Sequence, residues 1–183
     1  MNLILFGFKG SGKSYLGKRL SEKIDCSFFD VDQIVEQLYR DEHGHSLSVR
    51  AIMALRGERA FRALEKRALL SLSIVKRSII ALGGGTLLNQ DVFPLIKALG
   101  QLVYLKIEKD LLKKRMFLSG IPSFLDPSNL EESFENHYRE RLPLYTSISA
   151  ACIDVQNKEE TILEELMALY RSGSGSIGIL KAR

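Results

Sequence analysis

The sequence predicts an α/β fold in which a five-stranded parallel sheet carries helices on both faces. Three observations support this. Short apolar runs, each the length of a buried strand, alternate with longer amphipathic stretches along the chain. The first run, residues 2–6, leads into a glycine-rich turn and then a helical stretch. That turn, residues 7–14, reads Gly-Phe-Lys-Gly-Ser-Gly-Lys-Ser and fits G-x-x-x-x-G-K-[ST], a phosphate-binding loop.

Each element follows from its local pattern. Leu16, Leu20 and Ile24 share one helix face in residues 15–24. Residues 27–30 form a short strand that ends in Asp30. A polar stretch, 31–57, reads as helical pieces around a turn at His43, Gly44 and His45, and 58–76 as a longer amphipathic helix. Residues 78–82 form a buried strand that runs into Gly83, Gly84 and Gly85. A helix over 89–99, a strand over 101–107 and a basic helix over 108–118 follow. Gly120, Pro122, Pro127 and Ser128 mark a loop over 119–128. A helix over 130–141, a strand over 150–155 and a helix over 158–170 complete the pattern. Ligands of such sheets lie at the carboxyl ends of the strands.

The 183 residues suit one domain, residues 1–171, with a flexible Ser/Gly-containing tail over 172–183. No apolar run approaches the length of a membrane span, and no basic region precedes the first strand. Cys26 and Cys152 match no metal spacing and are expected to be reduced core thiols of a cytoplasmic protein. The net charge is +4, but basic residues are spread along the chain. Anionic small substrates account for that surplus as well as nucleic acid does, and neither nucleic acid nor a membrane is an expected partner. Nothing calls for an obligate interface, so a monomer is expected. His43 and His45 lack the companions of a metal site and read as a solvated turn.

The loop at 7–14 calls for a triphosphate. Gly7, Gly10 and Gly12 let the backbone approach its oxygens, and successive N–H groups form an anion-binding concavity. Gly10, Ser11, Gly12, Lys13, Ser14 and Tyr15 are the expected nucleotide contacts. Lys13 reaches the β- and γ-phosphates, and the Ser14 hydroxyl is a ligand for Mg²⁺.

Four further pieces point to an acceptor. Asp30 and Asp32, two apart on an extended segment, point the same way: Asp30 toward Mg²⁺ through water, Asp32 toward a substrate hydroxyl as its base. The alternative is a pair of helix-capping acids. Glu58, Arg62 and Glu65 share a helix face, either as a solvated ion pair or as a carboxylate clamp in which Glu65 orients Arg62. Gly83, Gly84 and Gly85 present bare backbone to a bound molecule. Arg141 is a second clamp candidate.

Together these pieces resemble the shikimate kinase family. Gly12-Lys13-Ser14, Asp30-Val31-Asp32, Gly57-Glu58-Arg59-Ala60-Phe61-Arg62-Ala63-Leu64-Glu65, Gly83-Gly84-Gly85 and Arg141-Leu142-Pro143-Leu144-Tyr145 follow the family's order. The resemblance implies a three-layer P-loop kinase fold with a mobile substrate-binding segment, about 31–62, and a lid, about 116–137. It implies transfer of the γ-phosphoryl group of ATP to the 3-hydroxyl of shikimate, in aromatic amino-acid biosynthesis. Asp32 would be the base, with Arg62 and Arg141 on the carboxylate and the three glycines lining the pocket. One departure stands out: Ile121 aligns with the lid arginine of the family, and no Lys or Arg lies between Met116 and His137. Arg115, expected on adenine, or Arg139 would supply the missing charge. Rival readings are a gluconate or nucleoside-monophosphate kinase, against which the Gly-Glu-x-x-Phe-Arg and triple-glycine segments count, and a nucleotide-binding regulator without catalysis.

Overall fold

The computed structural model describes residues 1–118, 120–122 and 124–173. Its five strands are β1 (Asn2–Phe6), β2 (Phe28–Asp30), β3 (Ile79–Ala81), β4 (Gly100–Lys106) and β5 (Ala151–Asp154). They pair in parallel in the order β2-β3-β1-β4-β5. The central strand β1 is buried along its whole length, which its unbroken apolar run requires. Fully burying each Leu or Ile there contributes roughly 1.5–3 kcal/mol, so the strand that ends at the phosphate loop is anchored from both faces.

The helices are α1 (Lys13–Ile24), α2 (Val31–His43), α3 (Val49–Ser71), α4 (Phe93–Leu99), α5 (Lys109–Leu118), α6 (Leu130–Ile148) and α7 (Glu159–Ser172). The chain leaves β1 toward β2, returns through β3 and crosses to β4, so strand order reverses beside β1. A crevice opens at such a point, above the carboxyl ends of the strands. Asp30 ends β2, and the glycine triplet follows β3, so both lie at this crevice.

Several boundaries differ from expectation. The predicted 130–141 helix continues through Pro143 to Ile148, placing Arg141 and Tyr145 one turn apart on the same face. The stretches 31–57 and 58–76 divide at Gly57 as predicted, but the second helix ends earlier, at Ser71. Thus α3, Val49 to Ser71, is broken at Gly57 (φ 76°), a left-handed conformation that glycine tolerates, and a 3₁₀ turn follows at Leu72–Ile74. The 89–99 helix is a 3₁₀ turn, Gln90–Val92, leading into α4, with Asn89 capping the Asp91 N–H. The turn at His43, Gly44 and His45 is present, with Gly44 closing α2 and His43 stacked on Tyr39 at 4.1 Å. The cysteines are not core thiols: Cys26 is half-buried at the margin of the core and Cys152 is exposed. Residues 172 and 173 close α7, while the rest of the predicted tail lies outside the described residues. No helix among the described residues is long and apolar enough to cross a membrane.

Candidate active site

The phosphate loop begins where β1 ends. Gly10 (φ 89°) and Gly12 (φ 91°) adopt left-handed backbone conformations, as expected for a loop curled around an anion. Gly12 caps α1 without a side-chain hydrogen bond, so the first N–H groups of that helix are left to a ligand. Lys13 is buried, and its Nζ donates to the carbonyl oxygens of Gly7 (3.1 Å) and Phe8 (2.9 Å). Burial pushes its pKa down to about 8, against the opposing pull of Asp32 and Asp30.

Ser14 Oγ donates to Asp30 Oδ2 at 2.5 Å. Asp30 Oδ1 accepts from the Asp32 N–H at 3.0 Å, so Asp30 also caps α2. The capping reading of this acid therefore holds, and its other oxygen faces the Ser14 hydroxyl. Asp32, however, is not on an extended segment: it is the second residue of α2, brought to the cleft by the helix. Its carboxyl lies against Gly83, where a Cβ would collide with Oδ1. Burial, then the nearby Asp30, raises its pKa to about 6, while Lys13 pulls the other way.

The three glycines need space rather than unusual dihedrals, since none has a positive φ. Gly83 makes room for Asp32. A Cβ on Gly84 would lie 3.5 Å from the Lys9 N atom, and one on Gly85 3.5 Å from Arg62 Nη2.

Arg62 Nη1 donates to Glu65 Oε2 at 2.9 Å, and Nη2 meets the exposed Glu58 at 3.4 Å. Glu65 is 2% exposed and also accepts from Thr86 Oγ1 at 2.6 Å. Arg141 Nη1 donates to the Gly84 carbonyl at 3.0 Å, and Tyr145 Oη donates to the same oxygen at 2.7 Å. The two arginines thus flank one strap, with Arg62 against Gly85 and Arg141 on Gly84.

On the far side of the phosphate loop, Gly12, Tyr15, Arg115, Asn157 and Glu159 border a cleft of about 190 Å³. Arg115 is brought there by α5, beside Gly10. The Tyr15 hydroxyl donates to Glu159 at 2.8 Å, leaving its backbone N–H as the group available to phosphate. In the loop before α6, Ile121 is exposed, and Phe124 stacks on His137 (4.3 Å) beneath the Arg141 guanidinium (5.6 Å). Burial, then Arg141, lowers the His137 pKa to about 4. Arg139 is exposed. Sequence reasoning missed Thr86 and Phe124. It gave Tyr145 no role, although its spacing four after Arg141 was a usable signal.

The shikimate kinase family model matches residues 9–171. The chain belongs to the shikimate kinase family. It is 33% identical over 172 residues to the shikimate kinase of Chlorobium phaeovibrioides, covering 90% of this chain and 84% of that one. A Bartonella quintana shikimate kinase is 28% identical over 165 residues, 90% of this chain and 76% of the other. The structure of Acinetobacter baumannii shikimate kinase in complex with shikimate aligns with a TM-score of 0.80 at 25% identity, covering 93% of each chain. The Aquifex aeolicus enzyme aligns at 0.75 and 28%, over 95% of this chain and 98% of that one. The fold is that of the P-loop kinases, and the reaction is ATP-dependent phosphorylation of shikimate in aromatic biosynthesis. Family membership removes the gluconate and nucleoside-monophosphate readings.

Proposed function

We propose that this chain phosphorylates the 3-hydroxyl of shikimate with Asp32 as base, Lys13 on the transferring phosphoryl group, and Arg62 and Arg141 on the acceptor carboxylate. The observation that supports this best is the convergence of five separate segments on one crevice: the phosphate loop, the start of α2, the glycine strap, and the two helices that carry Arg62 and Arg141. Phosphoryl transfer demands mainly positioning and charge stabilisation. Asp32 accepts the hydroxyl proton as the substrate oxygen bonds to the γ-phosphorus and the bridging bond to the β-phosphate breaks. ADP leaves with that electron pair. Lys13 shifts from the Gly7 and Phe8 carbonyls to the phosphate oxygens, stronger acceptors because they are ionised. The Arg62 fork takes the carboxylate on one side of the strap and Arg141 on the other.

The donor set fits Mg²⁺: the Ser14 hydroxyl and the Asp30 carboxylate are hard oxygens already 2.5 Å apart. Bound there, the ion would neutralise charge on the β- and γ-phosphates. Gly10, Ser11, Gly12 and the Tyr15 N–H serve the phosphates, and Arg115 serves the adenine. With Ile121 apolar, Arg115 stands nearest to the missing lid charge, beside Gly10. The domain comprises residues 1–171, acts as a monomer in the cytoplasm, and closes segments 31–62 and 116–137 over the substrates to exclude water. Hydrogen exchange in those segments should slow with ADP and shikimate; unchanged rates would remove the closure.

A coupled ADP-release assay with shikimate, gluconate and nucleoside monophosphates tests the assignment. Turnover is expected with shikimate alone. Nucleotide binding without turnover at any shikimate concentration would instead support a regulator.

A further inference from the structure

We propose that Thr86 is a positioning residue for the acceptor carboxylate, acting on Arg62 through Glu65. The inference rests on Arg62 being a carboxylate clamp.

Thr86 opens the 3₁₀ turn after the glycine strap, and its side chain is fully buried. Its hydroxyl donates to Glu65 Oε1 at 2.6 Å, while Glu65 Oε2 accepts from Arg62 Nη1 at 2.9 Å. The two carboxylate oxygens are thus divided between one neutral donor and one cationic fork. Glu65 is 2% exposed, so water cannot replace a lost donor. The terminal torsion of a Glu side chain is soft. Held at one oxygen only, the carboxylate turns, and the guanidinium bound to it turns too. A fork that must meet a second carboxylate in two-point fashion loses its aim by that rotation.

Arg62 has two other contacts: Glu58 at 3.4 Å, whose side chain is 74% exposed and contributes little, and the Phe61 ring at 5.6 Å, which attracts the charge without fixing the direction of the fork. Orientation of Arg62 therefore depends on Glu65, and that of Glu65 on Thr86. The same hydroxyl adjoins the second half of the acceptor site: a Cβ on Gly83 would lie 3.0 Å from Thr86 Oγ1, and Gly83 is the surface on which Asp32 rests. β-Branching leaves the Thr86 side chain few rotamers, so its hydroxyl has little freedom to drift.

The test compares wild type, Thr86→Val, Thr86→Ser and Arg62→Ala on the full chain, with shikimate and with its uncharged carboxamide. Thr86→Val should raise the shikimate KM roughly tenfold, the size carried by one hydrogen bond to a charged group, with kcat and the ATP KM little changed. The carboxamide KM should not move, and Thr86→Ser should restore most of the affinity. Thr86→Cys keeps the size of the side chain with a weaker donor. It should give a smaller rise of the same selectivity, and it replaces the valine variant if that one does not fold. An unchanged shikimate KM in Thr86→Val, with a raised one in Arg62→Ala, overturns the role of Thr86. Equal rises for acid and carboxamide overturn it too, since they mark general packing. An unchanged KM in Arg62→Ala strikes the clamp itself, a separate failure.

Discussion

The two halves of the cleft are built by different means. The proposed phosphate half is one continuous stretch, Gly7 to Ser14, which offers mainly backbone N–H groups at the start of α1. The acceptor half is assembled from side chains on three helices, Asp32 on α2, Arg62 and Glu65 on α3 and Arg141 on α6, around the glycine strap after β3. A backbone site tolerates most side-chain changes at its variable positions. A side-chain site depends on every partner that sets an orientation. Substitutions should therefore separate the two halves cleanly, with acceptor variants sparing nucleotide affinity.

The largest expected effect is that of Asp32→Asn. Loss of a general base lowers kcat by roughly 10²–10⁴-fold, and the amide keeps the packing against Gly83. Titration with ADP should give a dissociation constant near that of wild type. A large loss of ADP affinity would show that the two halves are not separable.

The arginines sharpen the comparison within the acceptor half. Arg62 is held by carboxylates, one of them buried. Arg141 is held by a neutral carbonyl and the Phe124 ring, and among the described residues no carboxylate pairs with it. A pre-aimed fork loses less freedom on binding. Arg62→Ala should weaken shikimate by about 2–5 kcal/mol, and Arg141→Ala by less, about 1.5–3 kcal/mol. Isothermal titration in the presence of ADP measures both. The reverse order would mean that pre-orientation is not what distinguishes them. Comparable with the smaller of these is Gly83→Ala, whose methyl displaces the Asp32 carboxyl. A misplacement of that size costs on the order of 10²-fold in kcat, with the shikimate KM moving less.

The same contrast explains what was legible in the sequence. Strand alternation and the phosphate loop are local patterns, and the parallel sheet with its loop at the end of β1 appears as read. Asp30, Asp32, Arg62 and Arg141 were legible as candidates because each sits in a short motif. How they are held was not. The Thr86 hydroxyl reaches Glu65 across 21 positions, and Arg141 reaches Gly84 across 57. No periodicity encodes such contacts. The α6 boundary failed for a related reason, since tertiary packing overrides propensity around Pro143: Tyr145, beyond the proline, is fixed by Gly84 and the aromatic cluster of Phe6 and Phe8. The cysteines failed because residue type gives only an average tendency to be buried, not the exposure of a given position.

The smallest effect at neutral pH joins the two halves. In the nucleotide-free cleft Asp32 has a pKa of about 6 and Lys13 about 8. Below the first, Asp32 is protonated and cannot accept the hydroxyl proton. Above the second, Lys13 is neutral and cannot attract phosphate. The ratio kcat/KM for ATP reports the enzyme before nucleotide binds, so it should follow a bell with limbs near these values. At pH 7 the loss is slight. The two groups are also coupled: Asp32 supports the charge of Lys13, and Lys13 that of Asp32. Asp32→Asn should therefore remove the acid limb and move the alkaline limb to lower pH, because the lysine loses an anionic neighbour while its burial remains. An acid limb that persists near 6 in this variant would belong to the nucleotide's own terminal phosphate, whose second ionisation falls in that range. An alkaline limb that does not move would mean that Asp32 and Lys13 act independently across the cleft.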